Sequence, residues 1–291
     1  MKLFPMNGFP KKRLPQNHPP RNDRQQAEPS PTQKAYLERE LLHRKQTSIL
    51  RFMILLLFLA LWELGASTGA VDDFIFSSPS RILRCFWSMT RSGAIFFHTG
   101  VTLYETAISF LLTIVLGLSL AVLLWSSPAA SRILEPYLVI LNSLPKSALA
   151  PLLIVWLGAN LKTIVVAAVS VAVFGSVMTL YTSFSQTDPE LIRLIRSFGG
   201  GKREILSKIL LPSSVPVIIS SMKVSIGLCL VGVIIGEFLA ADAGLGYLII
   251  YGQQTFAMDE VVLSIVILCL ISALFYKGIS LLERRVGQTG Q

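Results

Sequence analysis

The amino-acid sequence predicts an all-α protein that crosses a membrane several times. Of its 291 residues, 52% are apolar and only 15% are charged, whereas soluble proteins carry about 25% charged residues. Several apolar runs reach the length of about 20 residues that a membrane-spanning helix needs. The alternating apolar and polar pattern of a membrane barrel is absent. Helices are then the spanning structure that satisfies every backbone hydrogen bond.

Six apolar segments are expected to cross the membrane. They cover roughly residues 50–67, 101–125, 133–157, 162–182, 214–238 and 260–281. Pro145 and Pro151 interrupt the third segment, and proline disturbs a helix because it lacks the backbone donor. Together the segments make residues 49–291 a six-helix transmembrane domain.

The first 48 residues differ in composition from the rest. They hold 10 Lys and Arg against 4 Asp and Glu, and 7 of the 15 prolines. A basic, proline-rich segment with few apolar residues cannot bury enough surface to fold alone. We therefore predict that residues 1–48 are a mostly disordered tail. Its few aromatic residues argue against a nucleic-acid partner.

The loops predict the orientation of the chain. With the N-terminus in the cytoplasm, the inside segments carry 20 Lys and Arg and the outside segments carry 4. Because cytoplasmic loops hold the excess of positive charge, both termini are predicted to be cytoplasmic.

No catalytic, metal or nucleotide site is apparent in the sequence. The three cysteines and three histidines are dispersed, without metal-ligand or disulfide spacing. Gly201-Lys202 does not form a phosphate-binding loop, because Arg196 and Arg203 stand where that motif needs Gly and Ser or Thr. We expect neither enzyme activity nor a cofactor in this chain.

The loop between the fourth and fifth spans, about residues 187–212, is predicted to form two short helices joined by a glycine bend. The signals that start the first helix are Asp188, Pro189 and Glu190. Gly199 and the two glycines after it end this helix, because glycine adopts the left-handed cap conformation. A second short helix then runs as far as Pro212.

The first of these helices is amphipathic. Its apolar stripe is Leu191, Ile195 and Phe198, and the arginines off the stripe are Arg193 and Arg196. Such a helix either lies on lipid headgroups or docks into a groove on a cytoplasmic partner. Periodicity alone leaves both interpretations open.

An I-x-L-P sequence follows the first glycine of the bend after nine residues. The residues that form this pattern are Gly199, Ile209, Leu211 and Pro212. The pattern resembles the second half of E-A-A-x3-G-x9-I-x-L-P, the signature of permease subunits of binding-protein-dependent ABC importers. The first half departs from it, since Arg193, Leu194 and Ile195 replace the Glu and the two Ala.

Other segments resemble the nitrate/sulfonate/taurine branch of these permeases. They are Leu61–Leu64, Ser78–Ser80, Leu144-Pro145 with Ala150–Leu152, Val155–Gly158, Gly236-Glu237, Gly244–Ile249 and Leu282–Val286. The resemblance therefore extends from about residue 58 to residue 286.

This resemblance implies a type I ABC importer permease in the cell inner membrane. It implies a homodimer, two ATP-binding subunits that carry ATP and Mg, and an extracytoplasmic substrate-binding protein that delivers a small anionic solute. The loop would be the coupling helix seated in the ATPase. Its coupling residues would be Glu190, Leu191, Arg193, Leu194, Ile195, Arg196, Phe198, Gly199, Ile209, Leu211 and Pro212.

Polar residues within predicted spans are candidates for lining the solute pathway. Lys146 is the leading candidate, because it follows Pro145 at a break in the third span and could attract an anion; it could instead pair with an acid or extend to an interface. The other candidates are Asn142, Lys223 and Glu237, each of which could instead pack, pair or cap within the protein. Glu105 is expected to be interfacial.

Some alternatives remain open at the level of sequence. Gly232 and Gly236 form a small-xxx-small pair that could pack within one subunit or at a dimer interface. An ATP-independent secondary transporter would need internal repeats and buried carboxylates, and the sequence shows neither a repeat nor a mid-span carboxylate. A membrane anchoring protein would not need the glycine-bent helix pair.

Overall fold

The computed structural model describes residues 31–69 and 72–289 of the chain. The chain divides into two units, Met1–Phe58 and Leu59–Gln291. The described residues contain helices and no strand. The helices are α1 (Pro31–Ser67), α2 (Asp73–Phe76), α3 (Pro79–Ser92), α4 (Ala94–Ser126), α5 (Pro128–Ser143), α6 (Lys146–Leu157), α7 (Leu161–Ser185), α8 (Pro189–Ser197), α9 (Lys202–Ile205), a π-helical turn (Leu206–Leu210), α10 (Leu211–Ala240), α11 (Leu245–Gln254) and α12 (Met258–Thr289).

The predicted all-helical membrane fold is confirmed. Among residues 31–69 and 72–289, five helices are long and apolar enough to cross a membrane, or up to six if the bent pair formed by α5 and α6 counts as one span. The five are Ile49–Ser67, Ala94–Ser126, Leu161–Ser185, Lys202–Ala240 and Met258–Arg284.

The third predicted span is not one continuous helix. Its halves, α5 and α6, meet at an angle of 97°. Leu144 is extended at this break (φ −62°, ψ 141°). The next residue is Pro145, and the ring of a proline disfavours the helical conformation of the residue before it. With 16 and 12 residues, neither half reaches the length of about 20 residues that a span requires.

The beginning of α1 lies within the segment assigned to the tail. Residues 1–30 of the predicted tail lie outside the described residues, but α1 begins at Pro31, well inside the segment that was expected to be disordered. Pro31 is the only proline from position 31 to 48, and good helix formers such as Ala, Leu, Glu, Lys and Arg dominate the residues after it. The average composition of residues 1–48 concealed this change.

Close packing of α7 against α10 forms the centre of the second unit. A Cβ atom at Gly232 would lie 2.5 Å from the Ala168 Cα, and one at Gly236 would lie 2.9 Å from the Ile164 Cα. The small-xxx-small pair therefore brings two helices of one chain together, as the first of its two interpretations predicts.

A second cluster joins the end of this bundle to the loop that follows α7. The buried side chains of Ala121 (α4), Leu180 and Phe184 (α7) pack together with Leu210 of the π-helical turn. The segment after the glycine bend is thus fixed to two of the long helices.

Candidate functional site

The loop after α7 forms the predicted helix, bend and second helix. Asp188 Oδ1 accepts a hydrogen bond from the Glu190 N–H at 2.8 Å, and this caps the start of α8. At its end, the Gly199 N–H donates to the Arg196 carbonyl and the Gly200 N–H donates to the Ile195 carbonyl, both at 2.9 Å. Gly199 has φ +79°. This is a Schellman cap, which requires a residue in the left-handed conformation.

The apolar face that α8 leaves exposed is shifted from the predicted stripe. Ile195 is half-buried because it packs over the bend, where a Cβ at Gly200 would collide with its side chain. The exposed apolar residues are Leu191, Leu194 and Phe198, and Phe198 is 81% exposed. Their spacing places them on one side of the helix. Arg193 and Arg196 are exposed on the other.

The segment after the bend anchors α8. Ile205 and Leu210 are buried, and the Lys202 Nζ donates a 2.9 Å hydrogen bond to the Ser126 carbonyl at the end of α4. Such a contact satisfies one of the carbonyls left free at a helix C-terminus.

The residues of the I-x-L-P pattern position this anchor rather than extend the exposed face. Ile209 and Leu211 are half-buried, and Leu211 packs against the cluster around Leu210. Pro212 lacks a backbone N–H, and its ring would clash with a carbonyl four residues earlier. The wider π-helical turn just before it accommodates that constraint. A cleft of about 270 Å³ separates α8 from this segment, with Phe198 and Lys208 in its lining.

The candidate pathway residues Asn142, Pro145 and Lys146 lie together at the break between α5 and α6. The Lys146 Nζ donates to the Asn142 carbonyl at 2.7 Å, which satisfies a free carbonyl at the end of α5. Asn142 and Pro145 are exposed and Lys146 is half-buried. The Asn142 amide lies beside Gly175 of α7. Gly175 in turn lines a cleft of about 150 Å³ between α7 and α10, together with hydroxyl residues that include Ser176, Ser221 and Thr179.

The other two candidates do not face this region. The Lys223 Nζ pairs with the Glu283 carboxylate at 2.5 Å and lies 5.6 Å from the centre of the Tyr276 ring, so it joins α10 to α12. Glu237 is 1% exposed, and its Oε1 accepts a 2.7 Å hydrogen bond from Thr102. The Glu237 carboxyl group is therefore buried between α10 and α4.

Sequence reasoning missed the environment of Glu105. The expectation that Glu105 is interfacial is wrong, because this residue is 4% exposed and lies beside Glu237. It belongs to a buried polar stripe on α4 formed by Thr102, Glu105, Thr106, Ser109 and Thr113. Polar residues at helical spacing within an otherwise apolar segment are a signal that could have revealed the stripe.

The short helix α3 is fixed to the start of α12. The Arg81 Nε lies 3.1 Å from the Asp259 carboxylate, and the Ser77 Oγ donates to the same carboxylate at 2.7 Å. Burial, together with the carboxylates of Glu260 and Asp259, raises the pKa of the Cys85 thiol on α3 to about 11. Cys85 therefore stays protonated near neutral pH and behaves as a packing residue.

Comparisons with known proteins agree with this architecture. Residues 113–288 match the family model described as binding-protein-dependent transport system inner membrane component. A probable ABC transporter permease protein of Haemophilus influenzae is 30% identical over 80% of this chain and 94% of its own length. The putative aliphatic sulfonates transport permease protein SsuC of Bacillus subtilis is 26% identical over 78% of this chain and 83% of its own. The formylaminopyrimidine transport permease protein ThiX of Halalkalibacterium halodurans is 27% identical over 79% and 92%.

A solved structure has the same fold. A chain of the MetNI methionine ABC transporter in an inward-facing conformation superposes with a TM-score of 0.58 at 20% identity, over 70% of this chain and 98% of that one. The match to the family model covers more than half of the sequence. The chain therefore belongs to the binding-protein-dependent inner membrane components, the permease subunits of ABC importers.

Proposed function

We propose that α8 is the coupling helix, which transmits ATP-driven movement from a separate ATPase subunit to the membrane helices. The observation that carries this proposal is the exposed apolar face of Leu191, Leu194 and Phe198 on a helix that is capped and anchored. An apolar face rimmed by charged residues is typical of a protein docking surface. The buried anchor around Leu210 connects that face to α4, α7 and α10.

Phe198→Asp tests this coupling, with Ser197→Asp as the matched control. Both substitutions add one negative charge at the end of α8, but Ser197 lies off the exposed apolar face. Burying a phenylalanine contributes about 1.5–3 kcal/mol, so its loss weakens ATPase binding by about 10–100-fold. We expect Phe198→Asp to lose copurification of the ATPase in mild detergent and to lose solute uptake. Ser197→Asp retains both. Normal uptake by Phe198→Asp contradicts the assignment.

We further propose that two identical copies of the chain enclose the pathway. The family implies ATPase and substrate-binding protein partners. A single chain offers an open break between α5 and α6 and a small cleft between α7 and α10. A second copy facing this side would close it. Native mass spectrometry of the purified complex should find two copies of one permease; two different permease chains would contradict the homodimer.

For the transported solute, we propose a small organic molecule with an anionic sulfonate group, of the alkanesulfonate or taurine type. The relative SsuC is named for aliphatic sulfonates, and another relative, TauC of Escherichia coli, for taurine. The Lys146 ammonium lies at the break between α5 and α6, where an exposed carbonyl and amide of Asn142 hold it. A cation at irregular backbone can attract an anion while the backbone lines a cavity.

A neutral, hydrogen-bonding solute is the second candidate. The residues that line the cleft between α7 and α10 are glycine, serine, threonine and aliphatic residues, without a charged side chain, and the relative ThiX is named for formylaminopyrimidine. A thermal-shift screen of the copurified substrate-binding protein separates the two candidates. Stabilisation by taurine and alkanesulfonates supports the anion, and stabilisation by aminopyrimidines alone supports the neutral solute.

A further inference from the structure

Side chains of two other helices hold the N-terminus of α11. The Gly244 N–H donates to the His98 Nδ1 at 3.1 Å, the Leu245 N–H to the Thr102 Oγ1 at 2.8 Å and the Gly246 N–H to the Glu237 Oε2 at 2.5 Å. The first amides of a helix have no partner within the helix. Side chains of α4 and α10 thus supply the hydrogen-bond acceptors for these amides of α11, and they hold residues 241–247 against the bundle.

The hydrogen bonds that Glu237 accepts favour the ionised form of its carboxyl group. Its Oε1 accepts from the Thr102 hydroxyl at 2.7 Å, a shorter contact than the 3.3 Å between the same hydroxyl and the His98 carbonyl, while the Thr102 oxygen accepts from the Leu245 N–H. Its Oε2 accepts from the Gly246 N–H. An ionised carboxyl group is acceptor-only, and the positive end of α11 favours the negative charge.

The surroundings of Glu105 favour the protonated form of its carboxyl group. Its carboxyl group lies within hydrogen-bond reach of the Glu237 carboxyl group, and a hydrogen bond between the two requires a proton on one of them, because an ionised carboxylate only accepts. Its Oε2 is buried without a hydrogen-bond partner among the described residues, as are the Thr106 and Ser109 hydroxyl oxygens. A neutral acid tolerates this site at far lower cost than a carboxylate does.

Within the described part of the chain, the helices next to Glu105 show no ion pair that would supply a compensating cation. The ion pairs of the described side chains, Arg81–Asp259 and Lys223–Glu283, lie elsewhere. The clusters that α7 and α12 form with α10 and α11 are apolar. Asp242, in the loop before α11, is exposed. The titratable groups that face Glu105 and the N-terminus of α11 are therefore Glu237, His98 and Tyr247, and Tyr247 stacks on His98.

We propose that Glu105 binds a proton and donates it to Glu237, and that this shared proton holds the N-terminus of α11 against α4 and α10. Loss of the proton leaves two adjacent carboxylates, whose repulsion separates the helices that carry them and frees residues 241–247. The closed form then binds one proton more than the open form. By linkage, the open population rises with pH, by about tenfold per pH unit where the proton is lost.

Hydrogen exchange of the Gly244, Leu245 and Gly246 amides in the purified full-length chain tests the proposal. Rates are measured from about pH 5 to about pH 9, because buried glutamates can keep their proton to about pH 8–9. Each rate is divided by the intrinsic, base-catalysed rate. We expect protection of the wild-type chain to fall by about tenfold per pH unit in the upper part of this range.

Two variants separate the proton on Glu105 from other causes. In Glu105→Gln, the new amide can donate a hydrogen bond to Glu237 but does not titrate, so protection of the three amides should not change with pH. The control Thr106→Ala, at the next position of α4, should keep the wild-type dependence of protection on pH. Unchanged protection of α7 amides shows that each variant is folded. Wild-type protection that is independent of pH overturns the proposal without any variant. The proposal is also overturned if the pH dependence of protection persists in Glu105→Gln, or if protection changes with added Na⁺ or K⁺ at constant pH. Protection that is lost only as pH falls would overturn it too and would identify His98 as the titrating group.

Discussion

Ionisable side chains within the helical bundle differ in what they contact. Lys223 and Glu283 satisfy each other between α10 and α12, and Glu237 and Glu105 lie in a closed network. Lys146 donates to Asn142 at the end of the preceding helix, and it is half-buried. The sequence could predict that these residues are unusual, because ionisable residues in spans are rare. It could not predict their partners, which come from distant helices.

Lys146→Met tests the role of the Lys146 ammonium, with Lys223→Met as its matched control. Both substitutions remove one positive charge from the bundle. If the Lys146 charge attracts the solute, Lys146→Met raises the KM for an anionic solute by about tenfold, which corresponds to about 1.4 kcal/mol. ATPase copurification stays normal. Lys223→Met leaves Glu283 without its ion pair and should lower thermal stability rather than change KM. Unchanged uptake kinetics of Lys146→Met would reject the role in attracting the anion.

Individual helices illustrate which sequence signals are sufficient. The cap residues Asp188 and Gly199 mark both ends of α8, and the structure confirms the helix between them because caps act through local hydrogen bonds. The sharp bend at Pro145 could be located but not its angle of 97°, since packing against α7 and α10 also determines the path of α6. The contact between Ile195 and Gly200 determines which apolar residues of α8 stay exposed. The periodicity of the sequence does not reveal this contact.

The packing of α10 against α7 gives a test at the level of helices. Gly232→Ala places a methyl group 2.5 Å from the Ala168 Cα, which is closer than van der Waals contact allows. Overpacking of this kind lowers the free energy of unfolding by about 1–3 kcal/mol. The matched control is Gly227→Ala in the same helix, where a Cβ meets nothing within 4 Å. We expect the melting temperature in detergent to fall for Gly232→Ala and to stay constant or rise for Gly227→Ala. Equal melting temperatures would show that the close approach is not required.

At the scale of the whole molecule, sequence and structure agree on a helical membrane protein, and the residues that the structure describes supply five to six of its spans. Long apolar segments predict spans reliably because lipid leaves the backbone no other choice. The excess of Lys and Arg in alternate loops predicts the orientation, which stays a prediction. Neither kind of signal reports on the solute. The relatives named for a sulfonate and for a pyrimidine have similar identity to this chain and carry different solute names.

The central claim is tested most directly by purifying the tagged permease in mild detergent and identifying the chains that copurify. Uptake measurements in vesicles then complete the test. An ABC importer permease that couples through α8 is predicted to bring down an ATPase and a substrate-binding protein. Its vesicles should accumulate solute only when ATP is present on the ATPase side. Recovery of the permease alone, with uptake that proceeds without ATP, would contradict this account and indicate a secondary transporter.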